Sequence, residues 1–231
     1  MKKLVSCALV LTMVLSLAGC SKGSGFGSIK KKTVSALEKT CDAEEASEKT
    51  KKKLIKNNME TADNLLSDGK YVVLTAEDLE DIDVDDDVED EFDFNMEDCK
   101  NILFYIKEEG NEQMHVAVVE MNDKETAQDY FDTLEDGLKI KQMKKELKNA
   151  KADYGIVSED DLVAVMYQMA SERGGRRQTS GCYLNIKGNV VTMTQYMGSG
   201  KDDDILDEYY AFMNEAGFYD MEALMEDSEE D

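Results

Sequence analysis

Two stretches of this chain read as the same unit, a strand, a tight turn, a strand and then an amphipathic helix, and they constrain the fold more than any other feature. In the first, Ile102 to Lys107 and Met114 to Met121 flank Gly110-Asn111, and Ala127, Tyr130, Phe131, Leu134 and Leu138 mark the helix. In the second, Cys182 to Lys187 and Val190 to Met197 flank Gly188-Asn189, and Leu206, Tyr209, Tyr210 and Met213 mark the helix. The two Gly-Asn turns align, and Ala127, Tyr130, Phe131 and Leu134 match Leu206, Tyr209, Tyr210 and Met213 at a constant offset, the pattern of a degenerate strand-strand-helix repeat. Short turns enforce antiparallel pairing, and a helix after each hairpin must cover the sheet. The predicted fold is therefore α+β, a two-layer sandwich with an antiparallel sheet and helices on one face.

Other elements fit around these units. Ile29 to Cys41 and Ala43 to Leu66 read as helices, the second closed by Asp68-Gly69; Tyr71 to Leu74 and Leu162 to Ala170 read as strands. Thr75 to Asp78 and Asn122 to Glu125 have the residue types of helix N-caps. The tract from Glu77 to Asp98 is mostly Asp and Glu, yet its apolar residues Ile82, Val84, Val88, Phe92, Phe94 and Met96 fall on even positions. That tract is either an edge strand or an acidic loop. An EF-hand is excluded in it, because Asp86 stands where glycine is needed and Phe92 where the bidentate glutamate belongs.

Charge narrows the function classes. With 51 Asp+Glu against 27 Lys+Arg, the net charge is −24, while 42% of residues are hydrophobic. A folded acidic domain fits these numbers and a nucleic-acid binder does not, since a polyanion is bound mainly by cations that displace its counterions. Lysines are concentrated between residues 22 and 56, nearest the N-terminus. The three arginines, Arg173, Arg176 and Arg177, fall together in a Gly-rich connection, a candidate anion or partner contact or simply a solvated loop.

Tests for catalysis return little. The lone histidine, His115, forbids a His-x-x-x-His metal pair, and its alternation with Ala117, Val119 and Met121 reads as a partly buried structural residue. No phosphate loop, nucleophile elbow or Cys-x-x-Cys is present, and no cofactor or metal site is expected. Carboxylate pairs cannot be ranked in a chain so acidic. Cys41, Cys99 and Cys182 allow at most one internal disulfide.

The N-terminus is the most explicit segment. Met1-Lys2-Lys3 precedes an uncharged apolar run from Leu4 to Leu17, too short to span a bilayer and of the length of an export signal. Leu17-Ala18-Gly19-Cys20 resembles the lipobox of bacterial lipoproteins. That resemblance implies cleavage after residue 19, a lipid on the thiol of Cys20, and a membrane partner reached through that lipid on the outer face of the cell. Removing residues 1–19 takes two lysines and no acid, leaving −26. Residues 20–28 then form a lipidated cysteine with a Gly/Ser tether, and 29–231 a single exported domain with the acidic tract at 77–98. In overall composition the chain also resembles small lipoproteins of Gram-positive bacteria. The expected role is a non-catalytic binding or interaction module for a protein or small ligand. The alternatives are an envelope hydrolase using paired carboxylates and a structural, charge-bearing surface lipoprotein with weak divalent-cation binding.

Overall fold

Alternate residues along the central strands are apolar in both directions, so the sheet they form needs cover on both sides. In the computed structural model, which describes residues 25–59, 61–82, 98–170, 177–200 and 204–226, that is how the chain folds. The order is α1 (Phe26–Thr40), β1 (Glu44–Glu45), α2 (Glu48–Lys56), α3 (Ala62–Leu66), β2 (Asp68–Thr75), α4 (Ala76–Leu79), β3 (Cys99–Glu109), β4 (Glu112–Met121), α5 (Lys124–Leu138) and α6 (Ile140–Ala150). Then follow β5 (Asp153–Glu159), β6 (Leu162–Ala170), β7 (Arg177–Lys187), β8 (Val190–Gly200), α7 (Asp204–Ala216) and α8 (Met221–Glu226). Eight strands form one sheet in the order β1-β2-β3-β4-β8-β7-β6-β5. Every neighbouring pair is antiparallel except the short β1 with β2.

The α+β sandwich with its antiparallel sheet stands as the sequence predicts, and the structure adds a second helical layer, so that helices lie on both faces and not on one. Ile102, Phe104 and Ile106 of β3 pack with Leu54 of α2, Leu66 of α3 and Phe131 of α5. Leu103 and Tyr105, pointing the other way, pack with Leu37 of α1 and with Tyr209 and Phe212 of α7. Burying one such side chain contributes about 1.5–3 kcal/mol, so neither face can be left to water.

The repeat is visible in the hydrogen-bond register. Ile102 opposes Val119 in the first hairpin and Ser180 opposes Met197 in the second, equivalent rungs when the two Gly-Asn turns are superposed. Where the hairpins meet, Val116 faces Thr194, its own counterpart. Each turn asparagine also braces the other hairpin: Met121 N–H donates to the Asn189 carbonyl at 2.8 Å, and Ser199 N–H to the Asn111 carbonyl at 3.2 Å. Gly110 and Gly188 turn with φ of +60° and +70°, a conformation that carries no penalty without a Cβ. The helices break the correspondence, because α5 lies on one face and α7 on the other. Gly181, the counterpart of Leu103, leaves room for Tyr209: a Cβ there would lie 3.1 Å from its ring.

Several boundaries differ from the sequence reading. The single helix expected over 43–66 is split, because Ala46 N–H joins β2 through the Tyr71 carbonyl, Ser47 caps α2, and Asn58 and Met59 take positive φ before α3. Thr75 and Asp78 form the expected capping box. The cap of α5 is Asp123, whose side chain accepts from Thr126 N–H at 3.0 Å. Helices α6 and α8 and strands β1 and β5 escape the sequence reading. In α6, Ile140, Met143 and Leu147 have helical spacing, but they are sparse among lysines.

Candidate functional site

The polar cluster of most chemical interest sits where α3 meets the β3–β4 hairpin. Leu66 is fully buried and anchors α3, and the Ser67 carbonyl accepts from Glu108 N–H at 2.9 Å, fastening the end of that helix to β3. This brings Asp63 over the strand pair. Glu108 lies near the end of β3, and His115 on β4 opposes Ile106, so both point to the face that α3 covers. One oxygen of each carboxylate and one imidazole nitrogen all lie within 4.8 Å of one another. Exposure falls from the exposed Glu108, through the half-buried Asp63, to His115 at 4%.

The buried polar atoms of this cluster go unpaired. Neither ring nitrogen of His115 has a hydrogen-bond partner among the described residues, and neither has Asp63 Oδ1. Burial pushes the His115 imidazole down to about 4, so it is neutral at physiological pH with a free lone pair. Burial raises the Asp63 carboxyl; burial and the neighbouring Asp63 charge raise Glu108. The flanking lysines are engaged elsewhere: Lys107 Nζ lies 2.5 Å from Glu208 and Lys70 Nζ 3.0 Å from Asp68. An imidazole and two carboxylates converging in this way make a donor set that can hold a metal ion or share a proton.

The residues singled out from sequence fare unevenly. Cys20, Arg173 and Arg176 lie outside the described residues, as does 83–97 of the acidic tract. Arg177 opens β7, exposed, and donates from Nη1 to Gln168 Oε1 at 3.1 Å. At the start of the acidic tract Leu79 and Ile82 are buried, and Asp78 pairs with Lys51 at 2.7 Å. Lys30 to Lys32 stand on α1 and Lys49 to Lys56 on α2, helices that cover opposite faces of the sheet.

Cys41, Cys99 and Cys182 are free thiols. Burial raises all three, Cys182 to about 12, so each is protonated at neutral pH and none is poised as a nucleophile. An open recess of about 370 Å³ lies between α6 and β6, lined by Leu138, Met143, Leu147 and Tyr167 among others.

Sequence reasoning places His115 on the correct face but misses both of its acidic neighbours. Glu108 is accessible in principle, because hairpin register sets positions 108 and 115 on one side. Asp63 is not, since only the tertiary docking of α3 brings it there.

No family model matches this chain, and no curated protein does either. Among solved structures, the extracellular domain of PknH from Mycobacterium tuberculosis is similar over 52% of this chain and 65% of that chain, at 13% identity and a TM-score of 0.30. The chain thus spans just under two thirds of that domain, and a likeness so slight carries no argument about fold or function.

Proposed function

We propose that this protein is a lipid-anchored extracytoplasmic domain that works as a non-catalytic binding or interaction module. The observation that carries the reading is the spacing between lipobox and fold: α1 begins at Phe26, and only the segment from Ser21 to Gly25 separates it from Cys20. Even fully extended, so short a segment reaches at most about 20 Å, so a lipid on Cys20 would hold the sheet and its helices against the membrane surface. Two acyl chains anchor stably where one does not. Among the described residues no helix is long and apolar enough to cross a membrane. The protonated state of the Cys41, Cys99 and Cys182 thiols argues against thiolate chemistry at these residues.

In cells fed an alkyne-bearing palmitate, wild-type protein should take up the label and Cys20→Ala should not, and external protease should reach the domain in intact cells. Label retained in Cys20→Ala, or complete protection from protease, would overturn the reading. The second reading, an envelope hydrolase using paired carboxylates, has the proximity of Asp63 and Glu108 in its favour. Hydrolytic activity abolished by both Asp63→Asn and Glu108→Gln would support it over the first.

A further inference from the structure

The internal repeat supplies a control for the polar cluster. With the two hairpins aligned on their Gly-Asn turns, Glu108 and His115 correspond to Ile186 and Met193, which sit on matching rungs and belong to the same apolar core. Both are 8% exposed. The sheet therefore closes perfectly well with apolar side chains at these positions, and the fold does not require a histidine or a carboxylate there. Placing a histidine there is costly, since a buried imidazole with both nitrogens unpaired forfeits its hydrogen bonds to water.

From this we propose that Asp63, Glu108 and His115 form a binding site for one divalent first-row transition-metal ion, of which Zn²⁺ and Mn²⁺ are the representatives. An ion at the centre of the cluster accepts the lone pair of one His115 nitrogen and neutralises the two facing carboxylates, so one species engages the imidazole and both acids and leaves the second ring nitrogen as an N–H donor. The imidazole selects against Ca²⁺ and Mg²⁺, which prefer all-oxygen ligand sets. Ligand atoms around a four-coordinate ion lie roughly 3.4 Å apart, so groups already close need shifts of about 1 Å, which the exposed Glu108 is free to supply. Three protein ligands leave a coordination position for water or for a ligand of the domain. Glu108 at the mouth and His115 at the floor define the entry path. The site is independent of the lipid anchor.

The test is calorimetric titration of Zn²⁺ and of Mn²⁺ into the full lipidated chain in non-ionic detergent. The controls are Ca²⁺ and Mg²⁺, together with the double variant Asp129→Asn, Asp132→Asn on the exposed side of α5. One tight site per chain is expected for Zn²⁺ or Mn²⁺. Its affinity should fall more than about 10-fold in His115→Asn, Asp63→Asn and Glu108→Gln and stay unchanged in the α5 variant. X-ray absorption at the metal edge should show one imidazole in the shell. If His115→Asn does not fold, Glu108→Gln decides the matter, because that side chain is exposed. Binding that is weak, multiple and indifferent to Glu108→Gln and Asp63→Asn would mean that metal collects on the acidic surface at large, and would overturn the proposal. So would Ca²⁺ or Mg²⁺ binding as tightly as Zn²⁺ and Mn²⁺. Loss of the site with palmitate labelling intact would leave the anchored-domain reading standing.

Discussion

The two hairpin units share strand register, turn geometry and a reciprocal asparagine brace, yet their helices lie on opposite faces of the sheet. The side chains at matched positions show why. Leu103 fills its face in the first unit, whereas Gly181 in the second opens a gap that Tyr209 of α7 enters. Val116 is apolar, whereas its counterpart Thr194 shares a 2.9 Å hydrogen bond with the Tyr209 hydroxyl. The start of α7 is further held by buried Glu112, which accepts from Ile205 N–H at 3.2 Å and from the Tyr196 hydroxyl. An apolar stripe tells a helix to pack on a sheet. Which face it takes is decided by vacancies and hydrogen-bond partners on that face.

Making the second unit resemble the first puts this contrast at risk. The largest effect is expected for Gly181→Leu, which drives a side chain into Tyr209 and Met166. A loss of about 3 kcal/mol or more in urea unfolding should follow, with changed near-ultraviolet dichroism from the tyrosines. Wild-type stability in that variant would show that α7 does not depend on the gap. A smaller loss, about 1–3 kcal/mol, is expected for Thr194→Val, which installs the residue type of the first unit and leaves the fully buried Tyr209 hydroxyl without this partner. An unchanged urea midpoint would show that the hydroxyl pair plays no part in holding α7 to its face.

The smallest effect lies outside the repeat and gives it a baseline. At Asp78 burial would raise the carboxyl, but hydrogen bonds from Lys51 and Thr75 outweigh it and hold the group below the ordinary carboxylate range. Its contribution is therefore present above the unfolded value of about 3.9 and is lost as pH falls through the lower folded value. Asp78→Asn should cost at most about 1 kcal/mol at pH 7, with the difference from wild type vanishing in acid. A difference that persisted at low pH would assign the effect to packing and not to charge.

Legibility in the sequence follows the range of the interaction. The hairpins, their Gly-Asn turns, the stripe Ala127-Tyr130-Phe131-Leu134 and the Thr75 capping box are set by neighbours close along the chain, and all are found as expected. The break at Asn57 to Met59 is hidden because the residues on both sides have helical spacing. The turn is held instead by local bonds such as Met59 N–H to the Leu54 carbonyl at 2.9 Å, with the Met59 side chain buried. Helix α6 is hidden because its apolar face is narrow, with Leu147 its one buried residue.

Spacing and residue type along the chain were enough for the α+β class, for the strand pairing within each hairpin, and for the resemblance to a lipobox from which the anchored proposal starts, because each depends on near neighbours. Cover on both sides of the sheet, and the parting of α5 and α7 to opposite faces, emerge only when the chain has closed. The same closure brings Asp63, far upstream of Glu108 in the sequence, to the side of His115. Those outcomes depend on which side chains leave space for which, and on desolvation that exists only inside the folded protein.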